Sequence, residues 1–126
     1  MRIHLRFASI AGAALLAACA SMSGPMPANV ADGALVGPGG MSLYTFDRDA
    51  AGSGKSVCNG PCATNWPPLK AGMDAKAMGD WTIVMRDDGS QQWAYKGKPV
   101  YYWAKDAKPG DRTGDGFNKV WHLARP

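Results

Sequence analysis

The sequence contains one short pattern twice, and this repeat restricts its fold more than any other feature. Y-T-F-D-R-D occupies residues 44–49 and Y-Y-W-A-K-D occupies residues 101–106. A glycine-rich loop follows each copy and ends at a Trp. The matched positions are Tyr44, Phe46, Asp49 and Trp66 in the first copy and Tyr101, Trp103, Asp106 and Trp121 in the second. This register predicts a duplicated supersecondary unit whose copies cover each other's apolar faces, with chance as the alternative.

Short apolar or aromatic runs separated by turn residues predict β-strands in this part of the chain. The runs occupy residues 41–46, 81–86, 91–95 and 99–103. D-D-G-S and K-G-K-P separate the last three, so we expect residues 81–103 to form a three-stranded antiparallel meander. A single short helix is predicted over residues 70–78. The expected fold is mostly β, a small antiparallel domain built from two related repeats with at most one short helix.

The N-terminus has the order of an export signal: basic residues, an apolar run over residues 7–16, and two alanines before Cys19. The apolar run is about half the length that a membrane-spanning helix requires. L-A-A-C at residues 16–19 resembles the lipobox of bacterial lipoproteins, in which the Cys carries acyl chains such as palmitate and becomes the new N-terminus. We therefore expect Cys19 to be the lipidation site. The alternative is an ordinary cleaved signal followed by an incidental Cys.

These patterns divide the chain into three segments. We expect residues 1–18 to form the signal peptide and residues 19–33 to form the lipidated Cys and a flexible tether of Ser, Met, Gly, Pro, Ala and Asn. We expect residues 34–126 to form a single β domain made of two repeats, at about 34–72 and 81–126. Ala20 stands where many inner-membrane lipoproteins have Asp, which favours the outer membrane facing the periplasm.

The charge distribution bears on the partners. The chain has 14 Lys and Arg residues against 10 acidic residues, and the basic residues form no stripe. Nucleic acid is therefore not an expected partner. The expected partner is the lipid bilayer, through the N-terminal anchor, together with an envelope protein or small molecule that the sequence does not specify.

The quoted residues resemble a known family, the envelope lipoproteins that carry a secreted repeat of unknown function and the motif Y-x-(F/W/Y)-x-x-D. The resemblance extends over nearly the whole mature chain. It includes C-N-G-P-C-A-T-N-W-P-P-L at residues 58–69, Y-K-G-K-P-V-Y-Y-W at residues 95–103 and D-A-K-P-G-D at residues 106–111. The resemblance implies an exported, anchored, repeat-built domain and leaves its biochemical role open.

Cys58 and Cys62 are the two cysteines that remain once Cys19 is lipidated. In an oxidising compartment this pair predicts a structural disulfide that holds the loop leading to Trp66. The alternative is a periplasmic redox or copper-handling protein that uses Cys58 and Cys62. A mature chain with only His122 and without a β-α-β pattern argues against that alternative.

We find no motif for a catalytic site, and we expect no enzymatic activity, cofactor or metal. His122 cannot be matched to a particular Asp, and the G-x-S-x-G pattern of an activated Ser is absent. Asp106, Asp111 and Asp115 lack calcium-loop spacing and favour turns, while Asp49 and Asp106 are expected to accept backbone N–H bonds. The predicted function is a non-catalytic binding or scaffold domain. Aromatic richness also suggests an accessory protein for an apolar substrate such as a hydrocarbon.

Overall fold

A computed structural model describes residues 26–126, so the signal segment and Cys19 lie outside the described residues. It confirms a mostly β fold of small antiparallel sheets with one short α-helix. The strands are β1 (Asn29–Ala31), β2 (Ala34–Val36), β3 (Tyr44–Phe46), β4 (Lys70–Ala71), β5 (Trp81–Met85), β6 (Gln91–Tyr95), β7 (Lys98–Pro99) and β8 (Trp121–Leu123). The helices are α1 (Pro61–Asn65) and a 3-10 turn (Phe117–Lys119). No helix within residues 26–126 is long and apolar enough to cross a bilayer.

Strands β5, β6 and β7 form the antiparallel meander that the sequence predicts, with Ile83 opposite Trp93 and Ala94 opposite Pro99. The β6–β7 reversal uses Lys96 and Gly97, both at positive φ (48° and 84°). Two successive residues of this conformation match the right-handed twist of the flanking strands, which makes a tight hairpin turn favourable. The third strand is shorter than predicted, because the chain leaves the meander after Pro99.

The N-terminal hairpin corrects one predicted boundary. β1 lies inside the segment expected to be a tether, and it pairs with β2 across a turn at Asp32 and Gly33. All three residues of β1 are exposed, so the strand has no apolar periodicity and only its backbone pairing holds it. The pattern of alternating burial that reveals most strands was therefore missing from the sequence.

The helix predicted over residues 70–78 is wrong. Lys70 and Ala71 instead form β4 and pair with Gln92 and Gln91 of β6. The short helix lies earlier, at Pro61–Asn65, where Pro occupies the first turn without losing an intrahelical hydrogen bond. Pairing with a strand distant in sequence thus overrides the local preference of residues 70–78.

The two halves of the domain are joined by reciprocal backbone pairing. Tyr44 and Tyr101 meet antiparallel: the amide of each donates to the carbonyl of the other, at 2.8 and 2.9 Å. On one side of this pair, β3 of the first half pairs with β8 of the second half. On the other side, Pro68 pairs with Tyr101, and β4 pairs with β6. Each half therefore completes the sheet of the other.

A second pair of hydrogen bonds shows the same symmetry. The amide of Leu35 donates to the carbonyl of Ala124, and the amide of Trp93 donates to the carbonyl of Leu69, both at 2.9 Å. Leu69 and Ala124 each follow the Trp that ends their own repeat. The end of each half thus extends across the opposite half, as expected for an approximate two-fold arrangement of two copies.

Two apolar clusters form the core. The first contains Ala28, Leu35, Leu43, Leu69, Ala71, Trp81, Trp93, Val100 and Ala124. The second contains Ala34, Tyr44, Phe46, Cys58, Trp66, Tyr101, Trp103, Trp121 and Leu123. Both clusters draw side chains from both halves, and the second holds the aromatic residues at the matched positions of the two repeats.

Candidate functional site between the two repeats

The repeated motif directs its side chains as the alternation of a strand requires. Tyr44 and Phe46 are buried while Thr45 between them is half-buried. Tyr101 and Trp103 are buried in the same way. Because successive side chains of an extended chain point to opposite faces, each motif presents its two rings to one face. These faces meet at the centre of the domain.

Four aromatic rings from the two halves form a continuous stack at this centre. Trp121 and Trp66 lie in the middle, with ring centroids 3.8 Å apart and planes inclined by 3°. Phe46 stacks on Trp121 at 4.2 Å, and Trp103 stacks on Trp66 at 3.9 Å. Each outer ring therefore contacts the Trp of the opposite half. Rings of this size supply most of the buried apolar area in a small β domain.

The two tyrosines lie against the sides of the stack. Tyr44 contacts Trp66 edge-on at 5.4 Å and 77°, and Tyr101 contacts Trp121 at 5.1 Å and 87°. Edge-on packing is a preferred arrangement of two aromatic rings. The equal geometry on the two sides means that the rings of both copies occupy equivalent environments.

Each tyrosine hydroxyl donates to the aspartate of the opposite copy. Tyr44 donates to Oδ2 of Asp106 at 2.6 Å, and Tyr101 donates to Oδ2 of Asp49. The exchange is reciprocal, because the Tyr and the Asp of one motif never bond to each other. The Tyr and the Asp of each motif therefore make contacts between the repeats and not within one repeat.

The second oxygen of each carboxylate accepts a backbone amide, the role that the sequence predicts for these residues. Oδ1 of Asp49 accepts the amide of Val57 at 2.8 Å, and Oδ1 of Asp106 accepts the amide of Thr113 at 3.1 Å. Both aspartates are buried. Hydrogen bonds to both oxygens offset the cost of removing the charge from water. The carboxylates thus tie each loop to the opposite tyrosine.

Burial and the hydrogen bonds keep the phenols protonated. Burial, followed by the hydrogen bond to Asp106, raises the pKa of Tyr44 well above its ordinary value. Burial, followed by the hydrogen bond to Asp49, raises the pKa of Tyr101 in the same direction. At neutral pH both groups are hydrogen-bond donors, which suits them for holding the fold together.

This reciprocal geometry identifies two copies of one unit. A family described as a secreted repeat of unknown function matches the chain twice, over residues 27–70 and 82–125. The chain belongs to this family. No curated protein and no solved structure matches the sequence significantly. We refer to residues 27–70 as repeat 1 and residues 82–125 as repeat 2. Because the family is described as secreted, the protein belongs outside the cytoplasm.

The disulfide lies in the loop of repeat 1. Cys58 and Cys62 are bonded to each other, and α1 carries Cys62. Cys58 is fully buried in the aromatic cluster, whereas Cys62 is half-buried. Apolar surroundings disfavour the thiolate form on which thiol exchange depends. This environment fits the structural role of the pair better than the redox role.

A buried arginine joins this loop to the meander, and sequence reasoning missed it. Arg86 is only 5% exposed. Its Nη1 donates to Oγ of Ser56 at 3.0 Å and to Oε1 of Gln92 at 2.7 Å, and its Nη2 donates to the carbonyl of Cys58 at 2.6 Å. Ser56 and the hydroxyl of Tyr101 also bond at 2.6 Å. Because Arg86 ends an ordinary strand run, only its position beside a D-D-G turn could have drawn attention to it.

The remaining sequence candidates lie outside this network. His122 is exposed on β8, and its Nε2 lies 2.8 Å from Oδ2 of Asp47. Oδ2 of Asp111 accepts two loop amides, and Oδ1 of Asp115 accepts the amide of Leu123. These are the turn and capping roles predicted for loop aspartates. Within residues 26–126, no group of three or more His, Cys, Asp or Glu side chains is arranged to hold a metal ion.

The aromatic stack is not an open groove. Trp66, Trp103 and Trp121 are each at most 5% exposed, and Gly114, in the glycine-rich loop of repeat 2, lies against Trp66 and Trp103. A Cβ at Gly114 would lie 2.7 Å from the ring of Trp66, which explains the absence of a side chain there. Phe117 is the part of this aromatic group that solvent reaches, at 39% exposure. The site is a rigid, closed centre whose polar groups bind one another.

Proposed function

We propose that this protein is a lipid-anchored envelope lipoprotein whose two secreted repeats form a non-catalytic binding or scaffold domain. The observation that carries the anchor is L-A-A-C at residues 16–19, directly after a short apolar run. Membership of a secreted family supports the export that such an anchor requires. Several acyl chains on Cys19 would hold the domain at a membrane without a transmembrane helix.

The arrangement of the polar side chains supports a non-catalytic role. A general acid or base must reach the proton that it transfers, and a nucleophile must reach its substrate. Asp49, Asp106 and Arg86 are buried and bound to partners within the domain. Cys58 is bonded to Cys62. The side chains that could act as acids, bases or nucleophiles are thus used to position the two loops.

The anchor is tested with wild-type protein and Cys19→Ala expressed in a Gram-negative host. Wild-type protein should carry acyl mass on Cys19 and fractionate with membranes, whereas Cys19→Ala should keep its signal segment and lose the stable anchor. The matched control is Cys58→Ser together with Cys62→Ser, which should be acylated like wild type. Purified wild-type protein without acyl mass on Cys19 would contradict the proposal.

The membrane is tested separately with Ala20→Asp. Ala20 favours transfer to the outer membrane, so wild-type protein should float with outer-membrane fractions and Ala20→Asp should shift to inner-membrane fractions. Equal acylation of both proteins is the internal control. Inner-membrane location of the wild type would remove the outer-membrane assignment and leave the anchor intact.

Elemental analysis separates the scaffold role from copper handling. Protein purified from the envelope should contain oxidised Cys58 and Cys62 and no stoichiometric copper. About one copper per chain, lost in Cys58→Ser, would favour the copper-handling alternative.

A further inference from the structure

The contacts between the repeats do not depend on the two repeats belonging to one chain. The Tyr44–Tyr101 backbone pair, the ring stack and both Tyr–Asp hydrogen bonds each join a group of repeat 1 to a group of repeat 2. The strand pairs β3–β8 and β4–β6 also join the two repeats. A repeat 2 supplied by another copy would make the same contacts.

One exposed segment connects the repeats. Residues 72–80, which we name the hinge, contain Gly72 and Gly79 and are mostly exposed. The amide of Ala75 donates to the carbonyl of Gly72, and Met78 exchanges bonds with Trp81. The carbonyl of Asp80 accepts the amide of Lys96, which lies in repeat 2 and would move together with Asp80. Ala75 and Met78 are the hinge side chains that pack on the first apolar cluster. Opening the hinge therefore disrupts few contacts compared with separating the repeats.

We propose that the same interface also forms between two copies of the chain, which exchange repeat 2 across the hinge. Each module of the resulting dimer contains repeat 1 of one copy and repeat 2 of the other. Exchange of identical elements is a low-cost route to dimers, because every interface contact is recovered. The cost is the hinge contacts and the loss of freedom on association.

The hinge length determines which form is favoured. β4 and β5 lie on opposite sides of β6, about 10 Å apart. Ala71 is opposite Gln91 while Trp81 is opposite Tyr95, which adds roughly 13 Å along the strands. The hinge must therefore span about 17 Å and pass around the sheet. Nine residues are sufficient, whereas four residues reach at most about 18 Å in a straight line.

Effective concentration favours the closed monomer of the natural chain. A short flexible connection holds two modules at an effective concentration of the order of millimolar. Exchange is therefore expected when the chain folds at high local concentration, as it would when copies are anchored to one membrane surface. The expected natural population is a monomer with a minor, slowly exchanging dimer.

The first experiment shortens the hinge by deleting residues 73–77 from the full chain. The deletion variant should be a dimer by size-exclusion chromatography with light scattering, with wild-type tryptophan fluorescence. The matched control replaces the same five residues by Gly and Ser without changing the length, and it should be monomeric. A folded monomer of the deletion variant overturns the proposal.

The second experiment keeps the natural hinge and decides the question if the deletion variant does not fold. Two full-length variants are prepared, one carrying only Trp66→Ala and the other only Trp121→Ala. They are mixed, unfolded and refolded together. Exchange creates a heterodimer in which one module has both tryptophans, so the mixture should gain a dimer peak and an unfolding transition at the wild-type temperature. A mixture that unfolds as the sum of the two separate variants overturns the proposal.

Discussion

The two repeats share their centre and differ in how each closes its loop over that centre. Cys62 and Phe117 stand at the same distance before Trp66 and Trp121, the tryptophans that end the repeats. In repeat 1 the disulfide to Cys58 holds this position. In repeat 2 the ring of Phe117 packs at 4.9 Å on Trp103. The shared requirement is a covered ring stack, and two unrelated kinds of contact satisfy it.

The surroundings of the two tyrosines differ in the same way. Tyr101 bonds to Ser56, which Arg86 also holds, whereas Tyr44 accepts the amide of Gly114 at 3.3 Å. The loop of repeat 1 is thus supported by a charged side chain, Arg86 of repeat 2. The loop of repeat 2 instead contacts Tyr44 through its own backbone. The comparison indicates that reciprocal pairing fixes the Tyr–Asp contacts, while the groups that surround each tyrosine differ between the copies.

The strongest test of reciprocal completion is to separate the repeats. Residues 26–72 and residues 73–126, produced as separate polypeptides, should each be unfolded, because each loses the strands and rings that cover its apolar face. A unit of about 50 residues has a core that barely offsets its chain entropy. NMR spectra measure the outcome. A well-dispersed spectrum from either half alone would show that the repeats are independent.

Removing one ring of the stack should have the next largest effect. Phe46→Ala and Trp103→Ala should each lower the free energy of unfolding by roughly 3 to 5 kcal/mol, the range for a buried aromatic side chain. Thr45→Ala, on the opposite face of the same strand, should cost much less. Urea unfolding measures all three. Equal costs for Phe46→Ala and Thr45→Ala would exclude the stack as the main stabilising group.

The buried rings of the two motifs could be predicted from the sequence, because burial follows the alternation of side chains along a strand. Tyr44, Phe46, Tyr101 and Trp103 share buried positions, and the strands and disulfide follow from local signals. The partners of these residues could not be predicted. The Tyr44–Asp106 bond depends on the antiparallel meeting of two strands distant in sequence, and no local pattern encodes that meeting.

The missed elements have related physical causes. β1 is exposed at every residue, so it lacks the apolar periodicity of a strand. Lys70 and Ala71 form a strand that the local pattern does not reveal, because their pairing partner, β6, lies about twenty residues later in the chain. Arg86 is buried because Ser56, Gln92 and Cys58 converge on it from different segments. In each case a long-range contact decides the structure.

The unequal surroundings of the tyrosines predict unequal costs for removing their hydroxyls. Tyr101→Phe should lower the free energy of unfolding by about 2 to 3 kcal/mol, since it removes the bond to Oδ2 of Asp49 and the bond to Ser56, and leaves Asp49 only the bond from the amide of Val57. Tyr44→Phe should cost somewhat less, about 1.5 to 2 kcal/mol, because Asp106 keeps two bonds from Thr113. Thermal and urea unfolding give both values. A larger cost at Tyr44 would reverse the inferred asymmetry.

The two loop closures can be compared directly. Reducing the Cys58–Cys62 disulfide should lower the free energy of unfolding by about 2 kcal/mol, because so short a loop restrains the unfolded chain only modestly. Phe117→Ala should cost about 1 kcal/mol, since this ring is already partly exposed. The double change should be close to additive, because the two groups belong to different loops. Strong non-additivity would mean that the loops are coupled through the rings.

The free energy of unfolding should change least with pH near neutrality and should fall at alkaline pH. The direction of this change follows from the raised pKa of Tyr44 and Tyr101. The unfolded chain releases phenolic protons near pH 10, before the folded protein does, so the folded state then binds more protons. Stability is therefore fully present below pH 10 and falls above it, by up to about 1.4 kcal/mol per pH unit for each tyrosine. Tyr101→Phe and Tyr44→Phe should each make this decline shallower when urea unfolding is compared at pH 9, 10 and 11. A decline as steep in both variants as in the wild type would mean that these phenols ionise equally in the folded and unfolded chains, and that burial against the ring stack does not protect them.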